Sequence, residues 1–404
     1  MTSNTRVVVI GAGLAGVRLA RRLGELGVPA LLVGEEEHRP YNRVLLAEVL
    51  AGRYSPDVIA LPAPAALTRA RVTGIDRVER TVSCADGSRI AYGTLVLATG
   101  SNPVLPPLRG LFTPDHVLPE GVHAFRTMDD CLGLSKAVRP GTKAVVIGGG
   151  LLGVSAARAL AQRGAQVVLA QQSERLMERQ LDPSASRLVK RHLTDLGVEV
   201  HTECRVRDVR CVGGAVRSVE MADGYALDAD LVVLACGVHP RAGLAKEAGL
   251  AVHKGVLVDD ELRTSDPHIR AIGDCAQHDG TVYGLAAPAL EQADVLADLL
   301  AGNTSARYAG TRALTRLTLT GQDSLDLAAF GETVPQPGDD VVQLTDHTRG
   351  TYRKVVVRDD RLVGGVLVGE LGTVGALARA WEGAEPLPSD GGPLLHLLTN
   401  DGGS

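Results

Sequence analysis

The sequence RVVVIGAGLAGVRLA at residues 6–20 decides the fold that we predict for this chain. Residues 7–10 are four apolar, β-branched side chains, a run typical of a strand buried on both faces of a parallel sheet. Gly11, Gly13 and Gly16 follow with the spacing GxGxxG. Between a strand and a helix, these glycines allow a tight turn, the close approach of a pyrophosphate and close packing of the helix on the strand. The stretch therefore predicts a dinucleotide-binding unit.

Two further features support this unit. Residues 14–23 (LAGVRLARRL) combine helix-forming residues with helical spacing, so the turn would end at a helix N-terminus, which attracts negative charge. Glu35 stands about 20 residues after the glycines, where a carboxylate that binds the ribose hydroxyls is expected. The alternative for Glu35 is a solvated surface charge.

The same pattern occurs a second time. Residues 144–153 (AVVIGGGLLG) repeat the pattern of residues 7–16, and a helix and a second, Gly-led strand follow in both copies. A second dinucleotide-binding unit inserted into the first explains this order, because the first unit must then be completed farther along the chain. Residues 264–274 (TSDPHIRAIGD) and a helix candidate at residues 286–302 fit that completing segment.

The remaining segments complete the predicted architecture. Residues 72–90 alternate around a turn signal at residues 86–87, which predicts a small antiparallel hairpin within the first unit. From about residue 308 the pattern changes to alternating strands, with a hairpin turn at residues 359–360 and a helix near residues 373–381. We predict an α/β fold with two nested Rossmann-like domains of the three-layer ββα type and a C-terminal α+β interface domain.

A chain of 404 residues exceeds the size at which a single core stops growing, so several domains are expected. The predicted boundaries are residues 1–115 for the first part of the first dinucleotide-binding domain, 116–245 for the inserted domain, 246–306 for the completing part, 307–383 for the interface domain and 384–404 for a flexible tail.

Composition excludes several classes of function. The net charge of −5 comes without a concentrated basic run, and only 3% of the residues are aromatic, so nucleic acid is not an expected partner. No apolar stretch approaches the ~20 residues needed to cross a bilayer, so no membrane association is expected. We expect a cytoplasmic protein.

The six cysteines carry no recognisable disulfide or metal chemistry. They are scattered without a CxxC or CxxxxC spacing, which excludes a redox-active disulfide and predicts no metal site. Small packing residues in a reducing compartment are the favoured interpretation. Cys275 adjoins the completing motif, and a reactive thiol there is the alternative.

Taken together, the motifs resemble the flavoprotein pyridine nucleotide-disulfide oxidoreductase superfamily, in its non-disulfide branch with FAD, NAD(P)H and interface domains. Within it, the sequence is most similar to the FAD/NAD(P)H module of NADH-dependent nitrite reductase large subunits and to rubredoxin reductases. The resemblance rests on both glycine motifs and on residues 98–101 (ATGS), 235–237 (ACG) and 273–274 (GD), and more narrowly on residues 40–46 (PYNRVLL), 125–130 (FRTMDD), 176–188 (LMERQLDPSASRL), 283–293 (YGLAAPALEQA) and the run from Lys354 (KVVVRDDRLVGGVLVGE).

The resemblance implies two cofactors, a resident FAD and NADH or NADPH, with the flavin accepting the hydride, so no catalytic side chain is expected. The residues that it implies for FAD are Gly11, Gly13, Leu14, Ala15, Gly16, Glu35, Arg43, Val72, Ala98, Thr99, Gly100, Gly273, Asp274 and Ala289. Those that it implies for the nicotinamide dinucleotide are Gly148, Gly150, Leu151, Leu152, Gly153, Gln171 and Gly237.

The choice between NADH and NADPH stays open. Gln171 and Gln172 stand where a ribose-binding acid is expected, and Arg175 and Arg179 could pair with a 2′-phosphate. The nitrite reductase modules that the chain resembles also lack this acid while using NADH, which favours NADH.

Two positions depart from the pattern of related reductases. These often carry a Lys just after an RxxLS sequence, at the place of residues 43–47 (RVLLA) here, and a Glu shortly after the second glycine motif, a pair that meets beside the flavin. Here the two positions are Glu48 and Ser155. Either the flavin face is changed, or this subgroup does without the pair.

These observations lead to three functional hypotheses. The leading one is an FAD-dependent NAD(P)H oxidoreductase that passes electrons to a separate redox protein of the rubredoxin, ferredoxin or nitrite reductase type. The alternatives are a flavin-dependent oxidase or dehydrogenase of a small metabolite with a degenerate nicotinamide site, and a non-enzymatic flavin-holding redox sensor. The interface domain of such proteins can also mediate a homodimer.

Overall fold

The structure is a computed structural model. It describes residues 6–62, 66–312, 314–321, 324–346, 348–383 and Leu398. The tail predicted at residues 384–404 therefore lies outside the described residues, apart from Leu398. Among the described residues, no helix is both long and apolar enough to cross a membrane.

The first segment forms most of a Rossmann-like unit. Its elements are β1 (Val7–Ile10), α1 (Leu14–Glu25), β2 (Ala30–Gly34), α2 (Leu46–Leu50), β3 (Leu67–Arg69), β4 (Val72–Asp76), β5 (Thr81–Cys84), β6 (Arg89–Ala91), β7 (Thr94–Leu97) and β8 (Ser101–Pro103). β1 is buried along its whole length, as its run of β-branched residues predicts. The hairpin predicted at residues 72–90 is a three-stranded antiparallel sheet, because β4, β5 and β6 pair in sequence order.

The inserted segment forms the second Rossmann-like unit. Its elements are β9 (Val122–Ala124), α3 (Met128–Ala137), β10 (Lys143–Ile147), α4 (Leu151–Gln162), β11 (Gln166–Ala170), α5 (Pro183–Asp195), β12 (Glu199–His201), β13 (Val206–Val212), β14 (Ala215–Met221), β15 (Ala226–Asp228), β16 (Leu231–Leu234), β17 (Val238–Pro240) and α6 (Gly243–Glu247). A parallel sheet of order β12-β11-β10-β16-β9 carries helices on one face and the antiparallel sheet β13-β14-β15 on the other.

The completing segment returns to the first unit. It contains β18 (Val256–Val258), β19 (Ile269–Ala271), β20 (Ala276–His278) and α7 (Ala286–Leu300). β19 pairs in parallel with β7, which gives one sheet of order β19-β7-β1-β2-β3 from two separate parts of the chain. The nested α/β arrangement predicted from the repeated motif is therefore confirmed.

The C-terminal domain is an antiparallel sheet with one helix. It comprises β21 (Thr315–Leu319), β22 (Leu325–Gly331), β23 (Asp340–Asp346), β24 (Thr351–Arg358), β25 (Arg361–Val368) and α8 (Val374–Gly383), with strand order β21-β22-β25-β24-β23. Asp359 and Asp360 both have positive φ angles, 48° and 57°, as a tight hairpin turn of the predicted kind requires. Trp381 of α8 packs on Phe330 with ring centroids 5.2 Å apart.

A buried charge pair joins this domain to the inserted one. Asp182 caps the N-terminus of α5 by accepting a hydrogen bond from the amide of Ala185 at 2.9 Å. Its second carboxylate oxygen accepts hydrogen bonds from the Tyr352 hydroxyl at 2.5 Å and from Lys354 Nζ at 2.9 Å. Since Lys354 and Asp182 are both buried, this contact fixes β24 against the start of α5.

Candidate functional site

The first glycine turn has the geometry that the sequence pattern requires. Gly11 has a φ of +114°, and a Cβ on it would lie 2.1 Å from the carbonyl oxygen of Ala98. A Cβ on Gly16 would lie 2.0 Å from the carbonyl oxygen of Gly11. A Cβ on Gly13, by contrast, would meet no described atom within 4 Å. The outer glycines are therefore needed by the fold itself, whereas Gly13 faces open space at the start of α1.

The second glycine turn repeats this geometry. Gly148 has a φ of +109°, and a Cβ on it would lie 2.5 Å from the carbonyl oxygen of Ala235. A Cβ on Gly153 would lie 1.8 Å from the carbonyl oxygen of Gly148, and Gly150 faces open space. The two parallel sheets therefore carry glycine turns of the same construction.

Both helices that follow the turns begin without a side-chain cap. The N-cap residues are Gly13 for α1 and Gly150 for α4, and neither helix carries an acidic residue in its first turn. Their free amide groups and positive dipole ends suit a pyrophosphate. The residues predicted for this contact, Leu14 and Ala15 in one unit and Leu151 and Leu152 in the other, form these first turns; their contact with a cofactor stays a prediction.

The two turns differ in one detail. In the second unit, Gln171 follows the last residue of β11, and its side-chain oxygen accepts a hydrogen bond from the amide of Gly149 at 2.8 Å. The parallel register pairs Ile10 with Val33 and Ile147 with Ala170, so Gln172 occupies the position equivalent to Glu35. The structure thus ties Gln171 to the glycine turn itself, and contact of Gln171 with a nucleotide stays a prediction.

Glu35 lies at the end of β2 and is paired across the domain boundary. Arg241, which follows β17, donates to both of its carboxylate oxygens, one of them at 3.0 Å. This hydrogen bonding holds the pKa of the Glu35 carboxyl below its ordinary value, against the opposite effect of burial. The carboxylate is therefore an ionised acceptor beside the first glycine turn. Sequence reasoning did not find Arg241.

A half-buried cluster brings three distant segments together. Arg126 Nη2 lies 2.8 Å from Asp274 Oδ2 and 2.6 Å from the Ser101 hydroxyl oxygen. Ser101 in turn donates to Asp274 Oδ2 at 2.8 Å. Arg43, the other charged residue predicted here, pairs with Glu36 and donates to the Arg126 carbonyl at 3.1 Å. Arg126 and Ser101 were not among the predicted site residues, although both lie inside the quoted motifs.

The other predicted residues border this region. Thr99 donates its hydroxyl to the Arg241 carbonyl at 2.7 Å, and Gly100 turns the chain with a φ of +72°. Ala289 lies in α7 next to Gly273, where a Cβ on the glycine would be 3.8 Å from that of the alanine. Val72 begins β4 and is half-buried, whereas Gly237, with a φ of +99°, follows β16 in the second unit.

The surroundings of Cys275 and Cys236 disfavour their thiolate forms. Cys275 is fully buried and donates to the carbonyl oxygens of Leu97 at 3.4 Å and Ile272 at 3.3 Å. Burial raises its pKa, and burial also raises the pKa of Cys236 to about 11. All six cysteines are unpaired, and the described residues contain no group of three metal-ligating side chains. These facts favour the packing interpretation over a reactive Cys275.

Of the two departing positions, Glu48 is part of a different buried pair. Glu48 of α2 lies 2.6 Å from Arg158 of α4, whose side chain is completely buried. Glu48 also accepts a hydrogen bond from the Thr320 hydroxyl at 2.9 Å, so the contact joins all three domains. Ser155 donates to the Leu151 carbonyl of its own helix at 2.8 Å. An acid–base pair is thus present, but here the acid is on α2, where related reductases have a Lys. The cation is on α4, one helical turn beyond Ser155.

Comparison with known proteins agrees with this architecture. Residues 5–293 match the pyridine nucleotide-disulphide oxidoreductase family, and residues 315–382 match the rubredoxin NAD⁺ reductase C-terminal domain. A nitrite reductase [NAD(P)H] of Bacillus subtilis is 36% identical over 386 residues, covering 90% of this chain and 46% of the relative. A rubredoxin-NAD(+) reductase of Alcanivorax borkumensis is 32% identical, covering 74% of this chain and 79% of the relative. The chain spans about half the length or less of its nitrate and nitrite reductase relatives.

The fold is that of a known reductase. The crystal structure of a covalent putidaredoxin reductase–putidaredoxin complex contains a chain that matches with a TM-score of 0.85 and 26% identity over 98% of this chain and 99% of that one. The resemblance inferred from the motifs is therefore confirmed, including the nested fold and the type of C-terminal domain. This chain belongs to the pyridine nucleotide-disulphide oxidoreductase family.

Proposed function

We propose that this chain takes a hydride from NADH or NADPH and passes electrons through its flavin to a separate redox protein of the rubredoxin, ferredoxin or nitrite reductase type. The observation that carries the proposal is the pair of equivalent glycine turns in nested sheets, which gives one chain two dinucleotide pockets. The residues fit both cofactors, because Gly13 and Gly150 leave room at uncapped helix N-termini.

The first pocket is the better candidate for the resident FAD. The cluster of Arg126, Asp274 and Ser101, which comes from three segments of the chain, would close it. The second pocket is formed within the inserted segment alone, which suits a nucleotide that binds and leaves. When bound, FAD supplies the hydride acceptor and the donor of single electrons.

The chain's own groups bind and orient. The amides at the start of α1 would hold the FAD pyrophosphate, and Glu35 would accept hydrogen bonds from a ribose. The 15-residue helix α7 begins at Ala286, and its positive end would favour negative charge on a flavin ring placed there.

The relatives support an electron-accepting protein partner. One relative is named a rubredoxin-NAD(+) reductase, and the matched crystal structure is of a reductase joined to its redox partner, putidaredoxin.

We also propose a cytoplasmic location, supported by six unpaired thiols. If the C-terminal sheet mediates a homodimer, light scattering would detect it.

An anaerobic reduction experiment tests the proposal. Purified protein with bound FAD is mixed with NADH or NADPH, and the visible flavin absorbance is followed. Rapid bleaching, then reoxidation by added rubredoxin or ferredoxin, is the expected result. A flavin that neither nucleotide bleaches, but dithionite does, would refute the reductase and favour a metabolite oxidase or a sensor.

Matched variants assign the two pockets. Gly13→Glu should give folded, colourless protein, because the fold leaves space for the side chain but its charge would occupy the FAD pocket. Gly150→Glu should keep its FAD, resist bleaching by nucleotides and still be reduced by dithionite. Yellow Gly13→Glu protein and colourless Gly150→Glu protein would reverse the assignment.

For the nucleotide we propose NADH. Arg175 is already paired with Glu174 at 3.3 Å, and the negative charge of Glu174 would repel a 2′-phosphate. The ratio of kcat/KM for NADH and NADPH tests this, and a larger value for NADPH would contradict it.

A further inference from the structure

A cleft beside the C-terminal end of α7 is lined by three arginines and one carboxylate. It encloses about 230 Å³ next to the edge strand β19, with Arg263, Arg270, Arg307 and Glu261 in its wall. Leu299 and Leu300 of α7 provide an apolar floor. We call this the arginine cleft.

Two of these arginines are placed against each other by the backbone. Arg263 and Arg270 are directly opposite in an antiparallel bridge. Like charges at directly opposite positions destabilise such a pairing, so the fold tolerates a local repulsion here. Main-chain pairing holds the two side chains close, and of the two only Arg263 has an ion-pair partner, Glu261, among the described residues.

The nearby carboxylates of Asp259 and Glu261 do not neutralise the three arginines of the cleft. Glu261 pairs with both Arg263 and Arg307, at 2.8 Å in the latter case. Asp259 Oδ1 accepts hydrogen bonds from the backbone amides of Glu261 and Arg263, both at 2.9 Å. Among the described residues, the Arg270 side chain donates one hydrogen bond, to the Pro267 carbonyl at 2.8 Å, and has no ion pair within 4.0 Å.

The pKa of Arg270 is consistent with the absence of a paired carboxylate among the described residues. Burial lowers the pKa of its guanidinium and the neighbouring charge of Arg263 lowers it further, whereas the charges of Asp259 and Glu261 act in the opposite direction without outweighing these effects. The Thr304 side chain lines the same space. Donors without a protein acceptor, positive charge and an apolar floor are the properties of an oxyanion site.

We propose that the arginine cleft binds a multivalent oxyanion the size of phosphate, either inorganic phosphate or the phosphate group of a small ester. A planar guanidinium can donate two parallel hydrogen bonds to such an anion, so Arg270 would supply the fork that it does not spend on a carboxylate. Arg263 and Arg307 would complete the cage, and their mutual repulsion would be relieved.

Titration calorimetry tests the proposal on FAD-loaded protein saturated with NAD⁺, so that phosphate does not report on either glycine turn. Sodium phosphate and glycerol phosphate are titrated separately at constant ionic strength in chloride. We expect saturable binding of phosphate that Arg270→Gln weakens at least tenfold, whereas Arg191→Gln, an exposed arginine on α5, leaves it unchanged. Binding of both ligands would extend the site to esters, and binding of phosphate alone would restrict it to the free anion.

Thermal unfolding gives a second readout that a purely structural arginine would not show. Because Arg270 faces Arg263, Arg270→Gln should raise the unfolding temperature in chloride and lose that advantage in phosphate. Arg307→Gln, at a half-exposed position, serves if Arg270→Gln does not fold. Absence of saturable binding, or equal binding in wild type and in both cleft variants, would overturn the proposal.

Discussion

Removing the Glu48 carboxylate should destabilise the protein through the cation that it leaves behind. Arg158 is 0% exposed, and Glu48, at 2.6 Å, is its only acidic partner among the described residues. Burial lowers the pKa of Arg158, whereas Glu48 opposes that effect. Its Nε has no hydrogen-bond acceptor in the part of the chain that the structure describes. Breaking a buried pair from one side costs about 3–5 kcal/mol, because the remaining charge is neither solvated nor paired.

Glu48 and Arg158 differ in the contacts that each keeps when the other is replaced. Glu48 keeps two other contacts, the Thr320 hydroxyl at 2.9 Å and Arg53 at 3.3 Å, whereas Arg158 keeps only neutral acceptors and has no second carboxylate among the described residues. Arg158→Met should therefore cost less than Glu48→Ala. The double variant should be more stable than the sum of the two losses predicts, since no unpaired buried cation remains.

The assay is thermal unfolding at saturating FAD, so that cofactor loss does not change the result. For a chain of this length, unfolding entropy amounts to roughly 0.8 kcal/mol per degree, so Glu48→Ala should lower the Tm by about 4–6 °C. Glu48→Lys, which places two cations together, should be worse than Glu48→Ala, and Glu48→Lys combined with Arg158→Glu should recover part of the loss. Equal and additive effects of Glu48→Ala and Arg158→Met would refute the reasoning.

Three further outcomes follow from named contacts. Gly11→Ala should yield little folded protein and Gly13→Ala should fold normally, as soluble expression and circular dichroism would show, because only the Gly11 Cβ meets backbone, at 2.1 Å. The pKa of Asp182 is lowered, because hydrogen bonds from Ala185, Tyr352 and Lys354 outweigh burial, which acts in the opposite direction. The ionised carboxylate therefore stabilises the fold above about pH 4, and this stabilisation is lost as the pH falls through the native pKa. Asp182→Asn should flatten the dependence of urea stability on pH at acidic pH, and an unchanged slope would contradict this. Gln172→Glu, at the position equivalent to Glu35, should raise the kcat/KM ratio of NADH to NADPH several-fold, and a falling ratio would count against the register.

The features predictable from sequence were those that a short stretch of backbone imposes. Gly11 and Gly148 need positive φ angles beside a crossing strand, and only glycine meets that requirement, so the motif and its repeat located both turns. The order of the two copies predicted that β19 returns to the first sheet. Asp359 and Asp360 marked a tight hairpin for the same local reason.

The partners of charged side chains were not predictable in this way. Arg126 meets Asp274, and Glu35 meets Arg241, across 148 and 206 positions of sequence, and no local pattern encodes such pairs. The choice between Gln171 and its neighbour depends on a single step of register, because successive residues of an extended chain point to opposite sides. Three-dimensional pairing decides these details.

The buried ion pairs lie where domains meet, and this placement bears on electron transfer. Glu48–Arg158 joins α2 to α4, and Asp182–Lys354 joins α5 to the C-terminal sheet. Apolar residues of equal volume would hold these interfaces at least as firmly, so stability alone does not account for buried charge. A charge pair differs from an apolar contact because a small displacement leaves an unpaired charge in a low dielectric, which makes one arrangement of the domains much preferred. Hydride transfer between two separately bound dinucleotides needs such a fixed arrangement, since it depends on donor and acceptor atoms being held in contact. We therefore expect the apolar double replacement at positions 48 and 158 to preserve stability but slow flavin bleaching by NADH, with nucleotide binding unchanged.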